Sequence, residues 1–215
     1  MSIKTSSNNM TRTEIIKTLI EVYGYKKYLE IGVNTSAQPG FNFDSIQTEV
    51  KHGVDPAVDT TFKMTSDTFF NGNVPIKYDI IFIDGLHIFE QVYRDITNSL
   101  EWLEDNGTIV VHDTNPTSEI TQRAERASNV WHGDVWKSIL KLRMENPNIE
   151  IYTINADEGC TIIRKGHQEL FNASGSSGDK YQYGFFKKNR KEILNLISPR
   201  EFNKKMGIKS WLSFI

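Results

Sequence analysis

The sequence predicts a doubly wound α/β fold: a mainly parallel, seven-stranded sheet with one antiparallel strand, held between helices in three layers. Three observations predict it. Short apolar runs of strand length alternate with longer segments whose apolar residues recur at spacings of three and four. The runs are near-continuous in Ile, Val and Phe, as strands covered on both faces are. Two of them, 78–83 and 108–111, stop at Asp84 and at His112-Asp113, the strand ends outside which open α/β sheets bind ligands.

Each element has its own signal. Thr11 and Glu14 have capping-box spacing, and Ile15, Ile16, Leu19, Ile20 and Tyr23 form one apolar stripe that Gly24 ends. Residues 1–10 are polar and read as a loose N-terminus. YLEIGV (28–33) is the first strand, with Gly32 at the turn where backbone would approach a ligand. Asn34, Thr35, Ser36, Pro39 and Gly40 then make a loop, and a short helix begins at Asp44-Ser45-Ile46. VKHGVDP (50–56) is the second strand, ending at Asp55 because Pro56 cannot join a ladder. FKMTSDTFF (62–70) reads as a short third strand, after which Ser66 or Asp67 caps a helix carrying Phe69 and Phe70.

YDIIFIDGLH (78–87) is the fourth strand and its turn. A helix follows from about Ile88 to Leu103, with Phe89, Val92, Tyr93, Ile96, Leu100 and Leu103 on one side and Asn106-Gly107 as its stop. TIVVHDTN (108–115) is the fifth strand. Residues 117–132 are polar and read as a surface cover over the strand ends, with Trp131 and His132 either a stacking lid for an acceptor, the leading reading, or plain surface. Gly133-Asp134 introduces a helix through Val135, Trp136, Ile139, Leu140 and Leu142, Asp134 being either its N-cap or an acceptor contact. Residues 149–154 and 160–164 form a hairpin around Ala156-Asp157-Glu158-Gly159. NASGSSGD (172–179) is a flexible linker to a basic helical tail. The division expected is a domain over 1–166 and, over 167–215, a linker plus a tail packed on that domain.

Composition narrows the function. A chain of 215 residues, 38% hydrophobic and 24% charged, buries a sizeable core. A net charge of −2 argues against a nucleic-acid partner. The single cysteine, Cys160, excludes an internal disulfide and a multi-cysteine metal cage. No apolar run reaches the ~20 residues of a membrane span, and MSIKTSSNNM lacks a signal-peptide core. A cytoplasmic location is the expectation.

YLEIGV, GVDP, MTSDTFF, YDIIFIDGLH, TIVVHDTNP and WHGDVWK, in this order and spacing, resemble the Rossmann-like class I S-adenosylmethionine-dependent methyltransferases. The resemblance is nearest to the small bacterial and viral branch grouped with macrolide-sugar O-methyltransferases. It covers about residues 28–166, and no GxGxxG of a dinucleotide dehydrogenase is present. The resemblance implies S-adenosylmethionine as cofactor. Glu30, Gly32 and Asn34 would lie at its methionine end, Asp55 at the ribose, Ser66 and Asp67 at the adenine, and Asp84 below the methionine moiety. It also implies a metal set of Asp84, His112 and Asp113, with His87 as a catalytic group beside Asp84. The family pattern has an acid where this chain has His112. That leaves weak Mg²⁺ binding, a preference for Mn²⁺ or no metal as alternatives. Asn34-Thr35-Ser36 likewise replaces a glycine-rich turn.

Methyl transfer to a hydroxyl needs an aligned oxygen that loses its proton near the transition state. A sugar hydroxyl needs a base or a divalent ion for that. His87 is the candidate base, since imidazole titrates near neutrality, and Asp84 and Asp113 are candidate hard-oxygen ligands. The leading expectation is O-methylation of a glycan, glycoside or nucleotide sugar. The alternatives are a catechol-like acceptor, a non-catalytic cofactor-binding domain of a glycan-synthesis protein, and an RNA methyltransferase, which the charge disfavours. Association with glycosyltransferase domains or into a homo-oligomer is compatible with these readings.

Overall fold

A computed structural model describes residues 10–34, 42–72, 74, 76–173 and 180–208. The expected loose residues 1–9, the loop residues Thr35, Ser36, Pro39 and Gly40, and the linker segment 174–179 lie outside the described residues. Met10, assigned above to the loose N-terminus, is buried at 3% exposure.

Helix α1 (Arg12–Tyr23) starts at a Thr11–Glu14 capping box and ends at Gly24, whose φ of 67° is left-handed. Strand β1 (Lys27–Ile31) follows, then α2 (Asn42–Ser45), β2 (Val50–Val54), α3 (Ser66–Asn71), β3 (Tyr78–Ile83) and α4 (Phe89–Glu101). After these come β4 (Leu103–Val111), α5 (Trp136–Glu145), β5 (Ile149–Ile154), β6 (Cys160–Lys165), α6 (Tyr183–Ile193) and α7 (Pro199–Lys205). Among the described residues the sheet has six strands, in the order β2-β1-β3-β4-β6-β5. Only β6 runs against the others, pairing antiparallel with both β4 and β5. No helix among the described residues is long and apolar enough to cross a membrane.

The strand count corrects the seven expected. Where the third strand was read, Phe62 makes a single parallel bridge to Val54. Thr65, not Ser66 or Asp67, then caps α3 by accepting the Thr68 amide. A helix that begins so soon leaves no length for a ladder. A second correction concerns Asn106-Gly107. Helix α4 already ends at Trp102, and β4 pairs Leu103 with Tyr78 and Thr108 with Ile80. Asn106-Gly107 therefore lies inside β4, at the register shift of a bulge.

The two faces of the sheet bury two cores. Leu29, Ile31, Ile81, Ile83, Ile109, Val111, Ile151 and Ile163 pack with residues of α3, α4, α5 and α6. The alternate residues Tyr28, Ile80, Phe82, Val110, Ile154 and Ile162 pack with Ile15, Ile16 and Leu19 of α1 and Phe202 of α7. That alternation is the pleat of strands buried on both faces. In the tail, Phe186 is buried against Trp136, with ring centroids 4.5 Å apart, and Ile197 bridges to Ile154 at the outer edge of β5. Strand β1 pairs with β2 on one side and β3 on the other, which makes the β1/β3 edge the point where the winding reverses.

Candidate active site

The carboxyl ends of β3 and β4 deliver Asp84 and His112-Asp113 side by side. Asp84 follows Ile83, and the His112 amide donates to the Ile83 carbonyl at 3.0 Å, holding the two strand ends in register. Asp113 has a φ of 58°. Asp tolerates this left-handed conformation at some cost, and such outliers gather at working sites. Gly32 at the end of β1 has a φ of 88°, and a β-carbon there would lie 2.5 Å from the Cα of Gly85. Its lack of a side chain thus lets the ends of β1 and β3 close together, a packing reason beside the ligand-approach reason read from sequence.

Three groups converge here: ligand atoms of Asp84, His87 and Asp113 all lie within 4.8 Å of one another. His87 Nε2 is 3.2 Å from Asp84 Oδ1, and its Nδ1 is 3.3 Å from Asp113 Oδ2. His112 Nδ1 lies 3.3 Å from Asp84 Oδ1 and 3.4 Å from Asp113 Oδ2. Burial raises the Asp84 pKa, but the facing imidazoles of His112 and His87 outweigh it and hold the carboxyl well below its usual range. Burial likewise pulls both imidazoles down, and the carboxylates overcome it, so His87 is raised and His112 raised well above the ordinary histidine value. Two carboxylates and an imidazole at this spacing fit a divalent cation that accepts mixed oxygen and nitrogen donors.

The metal set expected from the resemblance named His112, whereas the close three-way cluster contains His87. His112 is instead enclosed. Arg12 Nη1 lies 2.9 and 3.1 Å from its two ring nitrogens, and Asp157 Oδ1 is 3.7 Å from Nε2. Asp157 also accepts the Arg12 amide at 2.6 Å. Neither Arg12 nor Asp157 stood out in the sequence: one is the first residue of α1, the other sits in the β5–β6 turn. No local pattern links residues that meet from 100 and 45 positions away.

The cover segment is anchored to this constellation. Trp131 stacks on His87, with centroids 5.0 Å apart at 26°, and its carbonyl lies 3.3 Å from His87 Nδ1. His132 is fully buried, with Nε2 2.6 Å from Glu158 Oε2. That burial corrects the reading of His132 as a stacking surface, because an enclosed ring has no face to offer an acceptor. Asp134 is also taken up internally. Its Oδ1 accepts the Phe89 amide at 2.7 Å and its Oδ2 accepts Lys137 Nζ at 2.9 Å. The cap expected on α5 is thus placed on the first turn of α4, and little of Asp134 is left for an acceptor.

The expected cofactor residues fall into two groups. Asp55 follows β2 and Asp84 follows β3, on either side of β1, with Asp55 Oδ1 accepting the amides of Ala57 and Val58 at 2.8 and 3.2 Å. Asn34, beyond the end of β1, is exposed. Glu30 is buried, and its Oε2 accepts from the Tyr28 hydroxyl and from Asn42 Nδ2. Burial pushes its carboxyl up to about 7 against those two bonds. Ser66 and Asp67, expected at the adenine, face α4: Gln91 Nε2 donates to Ser66 Oγ at 3.1 Å and to Asp67 Oδ1 at 3.2 Å.

Residues 15–114 match the family model of a methyltransferase domain. The match spans slightly less than half of the chain, and the fold is the one that the solved methyltransferases below share. Solved structures similar to it include an O-methyltransferase from Klebsiella pneumoniae described from its crystal structure, at 10% identity and a TM-score of 0.53, covering 75% of this chain and 83% of that one. A caffeoyl-CoA O-methyltransferase structure from Staphylococcus aureus is 19% identical, with a TM-score of 0.50 over 74% of this chain and 86% of that one. An O-methyltransferase from Bacillus cereus, crystallised with SAH, is 12% identical, with a TM-score of 0.50 over 74% and 84%. No curated protein matches the sequence. The candidate site lies at the strand ends outside which open α/β sheets bind ligands.

Proposed function

We propose that the chain is an S-adenosylmethionine-dependent O-methyltransferase acting on a sugar hydroxyl, with a divalent ion held by the carboxylates of Asp84 and Asp113 and with His87 as the base beside them. The observation that carries this reading is the convergence of Asp84, His87 and Asp113 at the carboxyl ends of β3 and β4. Two carboxylates beside an imidazole suit a pair of neighbouring hydroxyls better than a lone one.

The bound ion would lower the pKa of an acceptor hydroxyl, and S-adenosylmethionine would supply the methyl group. The chain's own residues do the rest. The Trp131 carbonyl, 3.3 Å from His87 Nδ1, favours the proton on that nitrogen and leaves Nε2 to take one from the acceptor. Asp84 Oδ1, 3.2 Å from Nε2, then stabilises the imidazolium. The Trp131 ring fixes the plane of the imidazole by stacking. Asp55 and Glu30 stand on the cofactor side, Asp55 suited to the ribose hydroxyls and Glu30, with Asn34 beyond it, to the methionine end.

A small aromatic acceptor is the second reading. Leu86 and Val130, at 53% and 54% exposure, are chain neighbours of His87 and Trp131 and give the rim of the site an apolar character. Calorimetry with S-adenosylhomocysteine, beside a methyl-transfer assay on sugars, nucleotide sugars and catechols, tests both. Transfer to sugars supports the first reading and transfer to catechols alone supports the second. Absence of S-adenosylhomocysteine binding sinks both.

A further inference from the structure

Helix α6 carries four cations, Lys187, Lys188, Arg190 and Lys191, in a chain whose net charge is −2. They border a cleft of about 320 Å³ completed by Asn155, Leu196, Ile197 and Ser198. Arg190 is built into the wall. Its Nη2 donates to the Pro116 carbonyl at 2.7 Å, and its guanidinium lies 4.9 Å from the centre of the Phe186 ring. The three lysines have no ion pair within 4.0 Å among the described residues, although the Glu201 carboxylate, turned back to cap α7, feels the charge of Lys191. A favourable end for the helix dipole accounts for Arg190 and Lys191 in the last turn. It does not account for Lys187 and Lys188, which are mid-helix.

The cleft lies on the same edge of the sheet as the candidate active site. Asn155 follows the carboxyl end of β5, as His112-Asp113 follow that of β4, and only β6 stands between those strands. Two ladder spacings separate their ends, about 10 Å. Direct contacts join the two places: Asn115 Nδ2 donates to Asn155 Oδ1 at 3.0 Å, and Asp157, two residues beyond Asn155, faces His112. A hexose with its hydroxyls at the metal cluster and a phosphate or diphosphate on its anomeric oxygen spans that interval.

We propose that this cleft binds the phosphoryl group of the acceptor, so that the sugar methylated is a sugar phosphate or nucleotide sugar. The inference rests on the sugar-methylation reading and names its substrate class. Lysine ammonium groups are compact donors suited to phosphate oxygens.

The test is calorimetric titration with inorganic pyrophosphate in EDTA, which removes divalent ions from the comparison. It is run on the wild type and on the Lys187→Gln/Lys188→Gln/Lys191→Gln variant, which leaves Arg190 in its wall. Saturable wild-type binding that weakens at least tenfold in the variant is expected. Glucose 1-phosphate and UDP-glucose are titrated next, and whichever binds more tightly identifies a monophosphate or a diphosphate carrier. Pyrophosphate binding that survives the triple exchange, absence of binding to the wild type, or failure of both phosphorylated sugars to bind overturns the proposal. S-adenosylhomocysteine affinity and transfer to neutral sugars are read on the same proteins. Intact transfer to a neutral sugar without pyrophosphate binding removes the cleft alone, whereas lost S-adenosylhomocysteine binding by the wild type removes the methyltransferase reading.

Discussion

Gly133 and His87 share a space that a side chain at position 133 would fill. A β-carbon there would collide with the His87 carbonyl oxygen and lie 2.6 Å from the His87 β-carbon, and the residue sits at a φ of 59°. The Asp134 amide donates to that same carbonyl at 3.3 Å. Gly133→Ala is therefore expected to move His87 while also straining the turn, by roughly 1–2 kcal/mol for the left-handed backbone alone. Methyl transfer should fall at least tenfold with S-adenosylhomocysteine affinity kept. Turnover within twofold of wild type would show that the approach of the two backbones does not set the imidazole.

His87→Ala removes the proposed base. The expected loss of turnover is about 10²–10⁴-fold, the usual worth of a positioned acid–base group. S-adenosylhomocysteine titration should be unchanged, because His87 lies on the acceptor side. A variant that keeps full turnover would remove His87 from the chemistry.

Asp113→Asn separates charge from backbone. Asn accepts the left-handed φ of 58° as Asp does, so the fold should survive with little change in Tm. Stimulation by added Mg²⁺ or Mn²⁺ should disappear, since one of two carboxylates in the cluster becomes neutral. If EDTA leaves the wild-type rate untouched, the divalent ion has no part in the reaction.

Glu30 makes stability depend on pH. Its folded pKa of about 7 exceeds the 4.5 of an unperturbed glutamate. Between those values the folded state holds a proton that the unfolded chain has released, so this contribution is fully present below about pH 4.5 and falls as pH rises through 7. The difference is roughly 3 kcal/mol at 1.36 kcal/mol per pKa unit. Glu30→Gln keeps an oxygen for Tyr28 and Asn42 and removes the titration. Urea melts at pH 4.5, 6 and 8 should show the wild type losing stability relative to the variant. Parallel curves would mean that the carboxyl ionises as easily when buried as when free.

Asp134→Ala takes the cap from α4 and leaves the Phe89 amide and Lys137 without their partner. A cost of about 1–3 kcal/mol is expected, measured by denaturant unfolding. An effect below 0.5 kcal/mol would show that water replaces the carboxylate at no penalty.

The strand ends were legible because burial on both faces writes itself as unbroken apolar runs, and an acid closing such a run stands out. Asp84 and Asp113 follow from that alone, and His87 from its place three residues after Asp84. What the sequence hid were contacts that cross the fold. The arrival of Arg12 over His112, and of Asp157 and Glu158 from the hairpin turn, depends on how α1 and the last strands lie on the sheet. Local signals also misled where tertiary structure reassigned them. Asn106-Gly107 has the chemistry of a helix stop and serves as a bulge. Asp134 precedes a helix and caps a different one. Residues 62–65 have strand-like composition, yet Thr65 starts a helix before a ladder can form.

The turn between β5 and β6 gives two of its acids to the site from the hairpin at the edge of the sheet. Asp157 and Glu158 hold φ values of 46° and 59°, so the type of that turn, more than any neighbour, sets where they aim. One residue inserted there would redirect both while leaving Asp84 and Asp113 on their own strands. Reaction and selectivity can therefore diverge independently in descendants of this chain, by editing four residues of hairpin instead of rebuilding a sheet.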